Sequence, residues 1–163
     1  MQYADAKYRF IQAWGTLGSS WGINRTMAQI HALLLLSPDA LSTEEIMEEL
    51  SISRGNANMN LRTLLDWGII RKELIPGERK EYFISEKDIW ALARQVARER
   101  KRRELEPVQQ LLRQLEEVEG APEKDLREFE QVTKDLRDFT GKASSMLDKF
   151  IQSDSSWWLK LLK

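Results

Sequence analysis

The stretch Leu41–Ser85, LSTEEIMEELSISRGNANMNLRTLLDWGIIRKELIPGERKEYFIS, constrains the fold more than any other part of the chain, because it carries a start and a stop signal for each element in turn. Ser42 followed three residues later by Glu45 is the pattern of a capping box: the hydroxyl takes the Glu45 amide and the carboxylate reaches back to the Ser42 amide. Ile46, Met47 and Leu50 then space a short amphipathic helix, and Leu50-Ser51-Ile52 closes it as a turn. Ser53 caps a second helix from about Arg54 to Trp67, and Gly68 stands just past its end, where a left-handed backbone costs glycine little. Beyond it, Ile69–Ile75 and Lys80–Ile84 are β-rich runs joined through Pro76-Gly77, which predicts a hairpin.

The two faces of the second predicted helix differ in chemistry. Ala57, Leu61, Leu64 and Leu65 share one face at helical spacing. The other carries Gly55, Met59, Arg62 and Asp66, flanked by Asn56, Asn58 and Thr63, with Asn60 also read as outward. Asparagine can pair bidentately with adenine and arginine with guanine in a major groove, and an apolar tip can meet a thymine methyl. Gly55 lets the backbone approach a phosphate at the positive helix end. The hairpin rim holds Arg71, Lys72, Arg79 and Lys80, suited to phosphate contact or the minor groove. For one helix alone, a solvated polar face would be the better reading. The capped preceding helix, the turn, the glycine stop and the basic hairpin, in that order, instead predict a winged helix-turn-helix that binds double-stranded DNA. Asn56, Met59, Asn60, Arg62 and Thr63, with Asn58 beside them, are the expected base-edge residues; Ser53, Arg54, Gly55, Arg79 and Lys80 are the expected anchors.

The remaining chain reads as helical, giving a mainly α fold with a small β-hairpin wing and a helical dimerisation region. Tyr3 to Leu17 is a candidate helix, with Gly15 and Gly18-Ser19-Ser20 expected to end it. Gly22 and Asn24 mark a turn before Arg25–Leu36, in which Met27, Ile30, Leu33 and Leu34 face inward until Pro38-Asp39 breaks the helix. After the hairpin, Glu86-Lys87-Asp88 starts a helix with Ile89, Trp90, Leu92, Ala93, Val96 and Ala97 as its stripe, continuing to Leu105. Pro107 kinks it or opens a new segment, whose stripe is Val108, Leu111, Leu112, Leu115 and Val118. Gly120-Ala121-Pro122 is the clearest break; from Glu123, Leu126, Phe129, Val132, Leu136 and Phe139 repeat near heptad spacing, with Gly141 a candidate interruption. Such a stripe is too thin to be buried alone and predicts a homodimer. Two recognition helices would then sit about 34 Å apart, one DNA turn, to read a palindrome. The expected divisions are an N-terminal packing arm (1–22), the winged unit (23–86) and a helical dimerisation region (87–163).

Composition narrows the function classes. A chain of 163 residues with a net charge of −1 is not a uniformly basic binder, but the charge is uneven. Between Ser51 and Ser85, Arg54, Arg62, Arg71, Lys72, Arg79 and Lys80 stand against Asp66, Glu73, Glu78 and Glu81. The excess grows through Arg94, Arg98 and Arg100–Arg103, and acids dominate after Glu104. The Arg98–Arg103 run is either a solvated helix face or a second phosphate contact, and a partial role beside the wing is the expectation. With no cysteine, disulfides, thiolate chemistry and cysteine-based zinc sites are excluded. The start MQYADAKYRF lacks the apolar centre of a signal peptide, and Ile30–Leu36 is too short to span a bilayer, so a cytoplasmic protein without membrane attachment is expected. His31, the one histidine, has no partner at metal-ligand spacing and reads as a core residue; no metal or cofactor is expected. Glu44, Glu45, Glu48 and Glu49 read as an exposed acidic face, and no nucleophile–base pair or phosphate loop is present, so an enzyme is not expected.

The chain resembles the GbsR branch of the MarR-like transcriptional regulators from about Trp14 to Ile84. The residues that carry the likeness are Trp21-Gly22, Ser53-Arg54-Gly55-Asn56, Leu65-Asp66-Trp67-Gly68 and Pro76-Gly77-Glu78-Arg79. The resemblance implies a homodimeric prokaryotic regulator, most often a repressor, which occupies a promoter. The alternatives are a winged-helix module used only for protein assembly and a sensor of choline-like amines. The six tryptophans bear on the last: Trp14, Trp21, Trp67, Trp90, Trp157 and Trp158 serve either core and dimer packing or an effector pocket. The family includes choline-responsive members, so Trp14, Trp21 and Trp90 are the residues the resemblance offers for a small-molecule effector, between the winged unit and the stalk.

Overall fold

Several helices in the first part of the chain end through one hydrogen-bond pattern, closed by a left-handed residue just past the last turn. The computed structural model describes residues 1–115 and 118–153; Trp157 and Trp158 lie outside them. Helix α1 (Tyr3–Ser20) closes with the Gly22 amide donating to the Ser19 carbonyl (3.1 Å) and the Ile23 amide to that of Gly18 (2.8 Å), with Gly22 at φ +75°. This Schellman closure needs a left-handed residue, which glycine adopts at little cost. Asn24 then caps α2 (Arg25–Leu36) through its side chain, which accepts from the Met27 amide at 3.1 Å. Its bounds are those expected. Helix α1 is longer than expected, because Gly15 and Gly18 do not end it. They lie on its buried face against α2, where a Cβ on Gly18 would fall 2.6 Å from the Cβ of Ala28. These glycines set how closely the two helices approach.

Strand β1 (Leu41–Ser42) leads directly into α3 (Thr43–Leu50). The capping box is formed: the Ser42 hydroxyl accepts from the Glu45 amide (3.3 Å), and the Glu45 carboxylate accepts from the Ser42 amide (2.7 Å). Ser51, at φ +52°, turns the chain, and Ser53 caps α4 (Arg54–Asp66). Strands β2 (Ile70–Glu73) and β3 (Tyr82–Ser85) follow, registered Ile70 to Ser85 and Glu73 to Tyr82. Pro76 and Gly77 (φ +87°) occupy the centre of a turn closed by the Glu78 amide on the Ile75 carbonyl, with the residue types a type II turn demands. The expected hairpin is present, with strands shorter than the β-rich runs. The sheet has a third member, in the order β1-β3-β2, because Leu41 pairs with Phe83. The resulting fold is mainly α with a small antiparallel sheet, a winged helix-turn-helix.

The core gathers apolar side chains of α2, α3, α4 and the sheet: Ile30, Leu33, Leu34, Ile46, Leu61, Leu64 and Phe83 are all buried. Each contributes about 1.5–3 kcal/mol by leaving water. Lys87 fastens the chain beyond the sheet to the end of α2. Its ammonium donates to the carbonyls of Leu34 (2.7 Å), Leu35 (2.9 Å) and Ser37 (2.5 Å), satisfying acceptors that a helix C-terminus leaves open.

By density of internal packing the chain divides into two units, Met1–Leu92 and a second beginning at Ala93. The division falls within α5 (Ile89–Arg100), which starts on the Asp88 carboxylate; that carboxylate accepts from the amides of Trp90 (2.8 Å) and Ala91 (3.1 Å). In the second unit a π-helical turn (Lys101–Leu105) joins α5 to α6 (Glu106–Gln114), which carries Pro107 in its first turn. Helix α7 (Glu123–Gln152) runs through Gly141 without interruption. It packs on α6 and the π turn through Thr133 and Thr140, both buried, with Gln109 donating to the Thr140 carbonyl (3.1 Å) and Lys101 paired to Asp148 (2.6 Å). Among the described residues no helix is long and apolar enough to cross a membrane.

Candidate nucleic-acid interface

Helix α4 is positioned from both ends and from its inner face. The Ser53 hydroxyl accepts from the Asn56 amide (3.3 Å). At the other end the Gly68 amide donates to the Leu65 carbonyl (2.9 Å) and the Ile69 amide to that of Leu64 (3.3 Å), with Gly68 at φ +66°. Ala57, Leu61 and Leu64 bury the inner face. What remains outside is Arg54, Gly55, Asn58, Met59, Arg62 and Asp66, exposed, with Asn56 and Thr63 half-buried. Met59 keeps 58% of its surface in water at the centre of this polar face. It is an apolar tip in the setting where a thymine methyl could be met. A Cβ on Gly55 would touch nothing within 4 Å, so the backbone there is open to approach.

Asn60 departs from the expected set. It is 3% exposed, and its amide nitrogen donates to the Asn56 carbonyl oxygen (2.9 Å) and to Asn56 Oδ1 (2.7 Å). The reason is helical phase: Asn60 lies three residues after Ala57 and four before Leu64, on the buried side. It orients Asn56 and does not face outward. Thr63 donates its hydroxyl to the Met59 carbonyl one turn back (3.1 Å).

The wing supplies the second part of the surface. Arg71 and Lys72 on β2, and Arg79 and Lys80 in the connection to β3, are exposed, and Lys72 pairs with Glu81 across the hairpin. Leu74 at the wing tip is 92% exposed. The β-rich pattern of the run placed it in a strand and gave no signal of that exposure.

Ion pairs across elements were not legible beforehand. Arg54 donates to Glu44 of α3 at 2.9 Å. The Glu44 carboxyl is held below its ordinary range by its own backbone amide and then by Arg54, with Lys80 adding its field. The Ser42 hydroxyl and then its amide hold Glu45 low in the same way. In the second unit the basic run is engaged locally: Glu99 takes Arg102 (2.7 Å) and Arg103 (3.2 Å), Arg100 reaches Glu104 (3.1 Å), and Lys101 reaches Asp148. Burial pushes the Glu99 carboxyl up, and the two guanidinium groups more than offset it. These pairs direct most of the charge of Arg98–Arg103 within its own unit.

The three tryptophans offered for an effector all lie in the first unit. Trp14 stacks on Phe10 with ring centroids 5.3 Å apart, and its Nε1 donates to His31 Nδ1 at 3.3 Å. Trp21, at the C-terminal end of α1, and Trp90, in the first turn of α5, present much of their surface to solvent.

Fold comparison agrees with the architecture described above. One solved structure, described as the crystal structure of a transcriptional regulator, matches with a TM-score of 0.69 over 90% of this chain and 95% of that one. At 22% identity the likeness is one of fold. No protein-family model matches the chain, and no curated protein matches it.

Proposed function

We propose that this chain is a sequence-specific DNA-binding transcriptional regulator, akin to the GbsR branch of the MarR-like proteins, that works as a homodimer and represses by occupying a promoter. The observation that carries the proposal is the outer face of α4. Its polar and cationic side chains, one exposed methionine and an open glycine backbone sit on a helix fixed at both ends, beside a cationic wing. Arg62 and Asn58 would read base edges, and Arg54, Arg79 and Lys80 would hold phosphates. The neighbouring fold, which belongs to a structure described as a transcriptional regulator, supports the same reading.

Dimerisation is supported by the second unit. Val132, Leu136, Phe139 and Met146, spaced four, three and seven apart, form one stripe of α7 that stays exposed, Phe139 at 68%, beside the face that carries Thr133 and Thr140. A second copy of the same stripe would cover it, as helices with such a repeat associate. A site for a choline-like amine at Trp14, Trp21 and Trp90, whose ring faces would attract a quaternary ammonium group, is the alternative that the resemblance offers to a packing role for these residues. Tryptophan fluorescence unchanged at millimolar choline removes that part.

The deciding experiment is fluorescence anisotropy with duplex DNA from upstream of the chain's own gene, against a scrambled duplex. Specific binding that weakens with salt, and that Arg62→Ala reduces by roughly 1–3 kcal/mol, is the expected result. Absence of any salt-dependent binding would favour the assembly-module reading.

A further inference from the structure

Glu44 stands where two elements of the proposed interface meet. It belongs to the first turn of α3, and its carboxylate accepts from Arg54, the first residue of α4, at 2.9 Å. Lys80, from the β2–β3 connection, is close enough for its charge to act on the same carboxylate. Glu44 thus holds a cation of the recognition helix and also feels the charge of a wing lysine. Two other acids of α3 have partners of their own, although the Lys80 charge also reaches Glu45. Glu45 is taken up by the Ser42 amide and hydroxyl, both at 2.7 Å, and Glu49 pairs with Lys7 of α1 at 2.8 Å. The Glu44–Arg54 pair is open to water, with side chains 42% and 62% exposed, so it is weak and exchangeable. A phosphate is the ligand for which a planar guanidinium is best shaped, and it competes for the same N–H groups.

We propose that Glu44 is a built-in phosphate mimic: it occupies Arg54 in the free protein, must be displaced when a duplex docks, and so lowers affinity for every duplex regardless of sequence. The proposal rests on the DNA-binding reading above. Its consequence is a ceiling on non-specific binding. Because Arg54 meets a phosphate in the complex with or without Glu44, the number of phosphate contacts, each worth about 0.9 in the slope of log affinity on log salt, stays the same, and the displacement of Glu44 appears as a uniform loss of affinity.

The test is a salt titration of duplex binding by anisotropy, on specific and scrambled DNA, for the full chain, Glu44→Gln and Glu49→Gln. Melting curves establish that all are folded. Glu49→Gln makes the same change in net charge and also breaks an ion pair, but away from Arg54. Expected are roughly two- to fivefold tighter binding of both duplexes by Glu44→Gln with a salt slope close to that of the parent, and little change for Glu49→Gln. In an Arg54→Ala background the Glu44→Gln gain should fall by more than half. Equal effects of the two glutamine variants, or a gain that survives Arg54→Ala intact, would show a net-charge effect and overturn the proposal while leaving DNA binding in place. No duplex binding by any of the proteins would overturn the DNA-binding reading, and this proposal with it.

Discussion

Replacing Gly18 and Gly55 by alanine applies one chemical change to two helices, and the structure sets opposite signs. In both, alanine lowers the entropy of the unfolded chain and improves helix propensity, worth up to about 1 kcal/mol. At Gly55 the new methyl meets nothing within 4 Å, so that gain stands unopposed. At Gly18 the methyl would sit 2.6 Å from the Cβ of Ala28, a position fixed by the backbone of α2. Ordinary contact between such carbons is about 3.5–4.0 Å, so α1 must lift by roughly 1 Å from α2 along the interface that buries Ile11, Met27 and Ala28. Overpacking of this kind costs about 1–3 kcal/mol, which leaves a net loss near 1 kcal/mol after the propensity gain. For a unit the size of Met1–Leu92, that corresponds to a melting temperature lower by about 4–8 °C. Thermal unfolding followed by circular dichroism checks it, and urea titration gives the free energies. Gly55→Ala should melt slightly higher than the parent yet bind duplex more weakly, since its methyl stands where the backbone would approach a phosphate. A Gly18→Ala protein as stable as the parent would refute the claim that these glycines set the helix spacing.

Two further outcomes follow from buried polar groups. Burial, and then the Lys87 charge, hold the His31 imidazole down at about 4 against its ordinary 6.5, so the folded chain keeps it neutral while the unfolded chain takes up a proton. The stability this provides is complete above pH 6.5 and is lost as the pH falls toward 4, by about 3 kcal/mol in all; urea titrations of the parent and His31→Gln across that range should show the acid loss shrinking in the variant. Asn60→Ala removes a buried amide that donates twice to Asn56 and should cost about 1–2 kcal/mol in urea unfolding, with duplex affinity of the folded protein changed far less than by Arg62→Ala.

Local chemistry made several elements legible from the chain alone. A capping box, an asparagine cap or a left-handed glycine is satisfied within five or six residues. The Ser42–Glu45 box, the bounds of α2, the Ser53 cap, the Gly68 stop and the Pro76-Gly77 turn could therefore be read without knowing what lay beside them. The polar outer face of α4 was visible for the same reason, since helical spacing sorts its residues into two sides. Tertiary structure decided whatever depends on a partner distant in sequence. Gly15 and Gly18 look like helix breakers until α2 is laid against them, and Gly141 is carried through α7. Leu41 joins a sheet only because Phe83 is brought alongside it. Helical spacing already puts Asn60 on the side of Ala57 and Leu64, and only the fold shows its amide taken up by Asn56. The Arg54–Glu44 pair and the Lys87 clasp on α2 join residues 10 and about 50 positions apart, a proximity that no periodicity encodes. A cap is settled by the next turn of chain, whereas a contact between elements is settled only when the fold has closed.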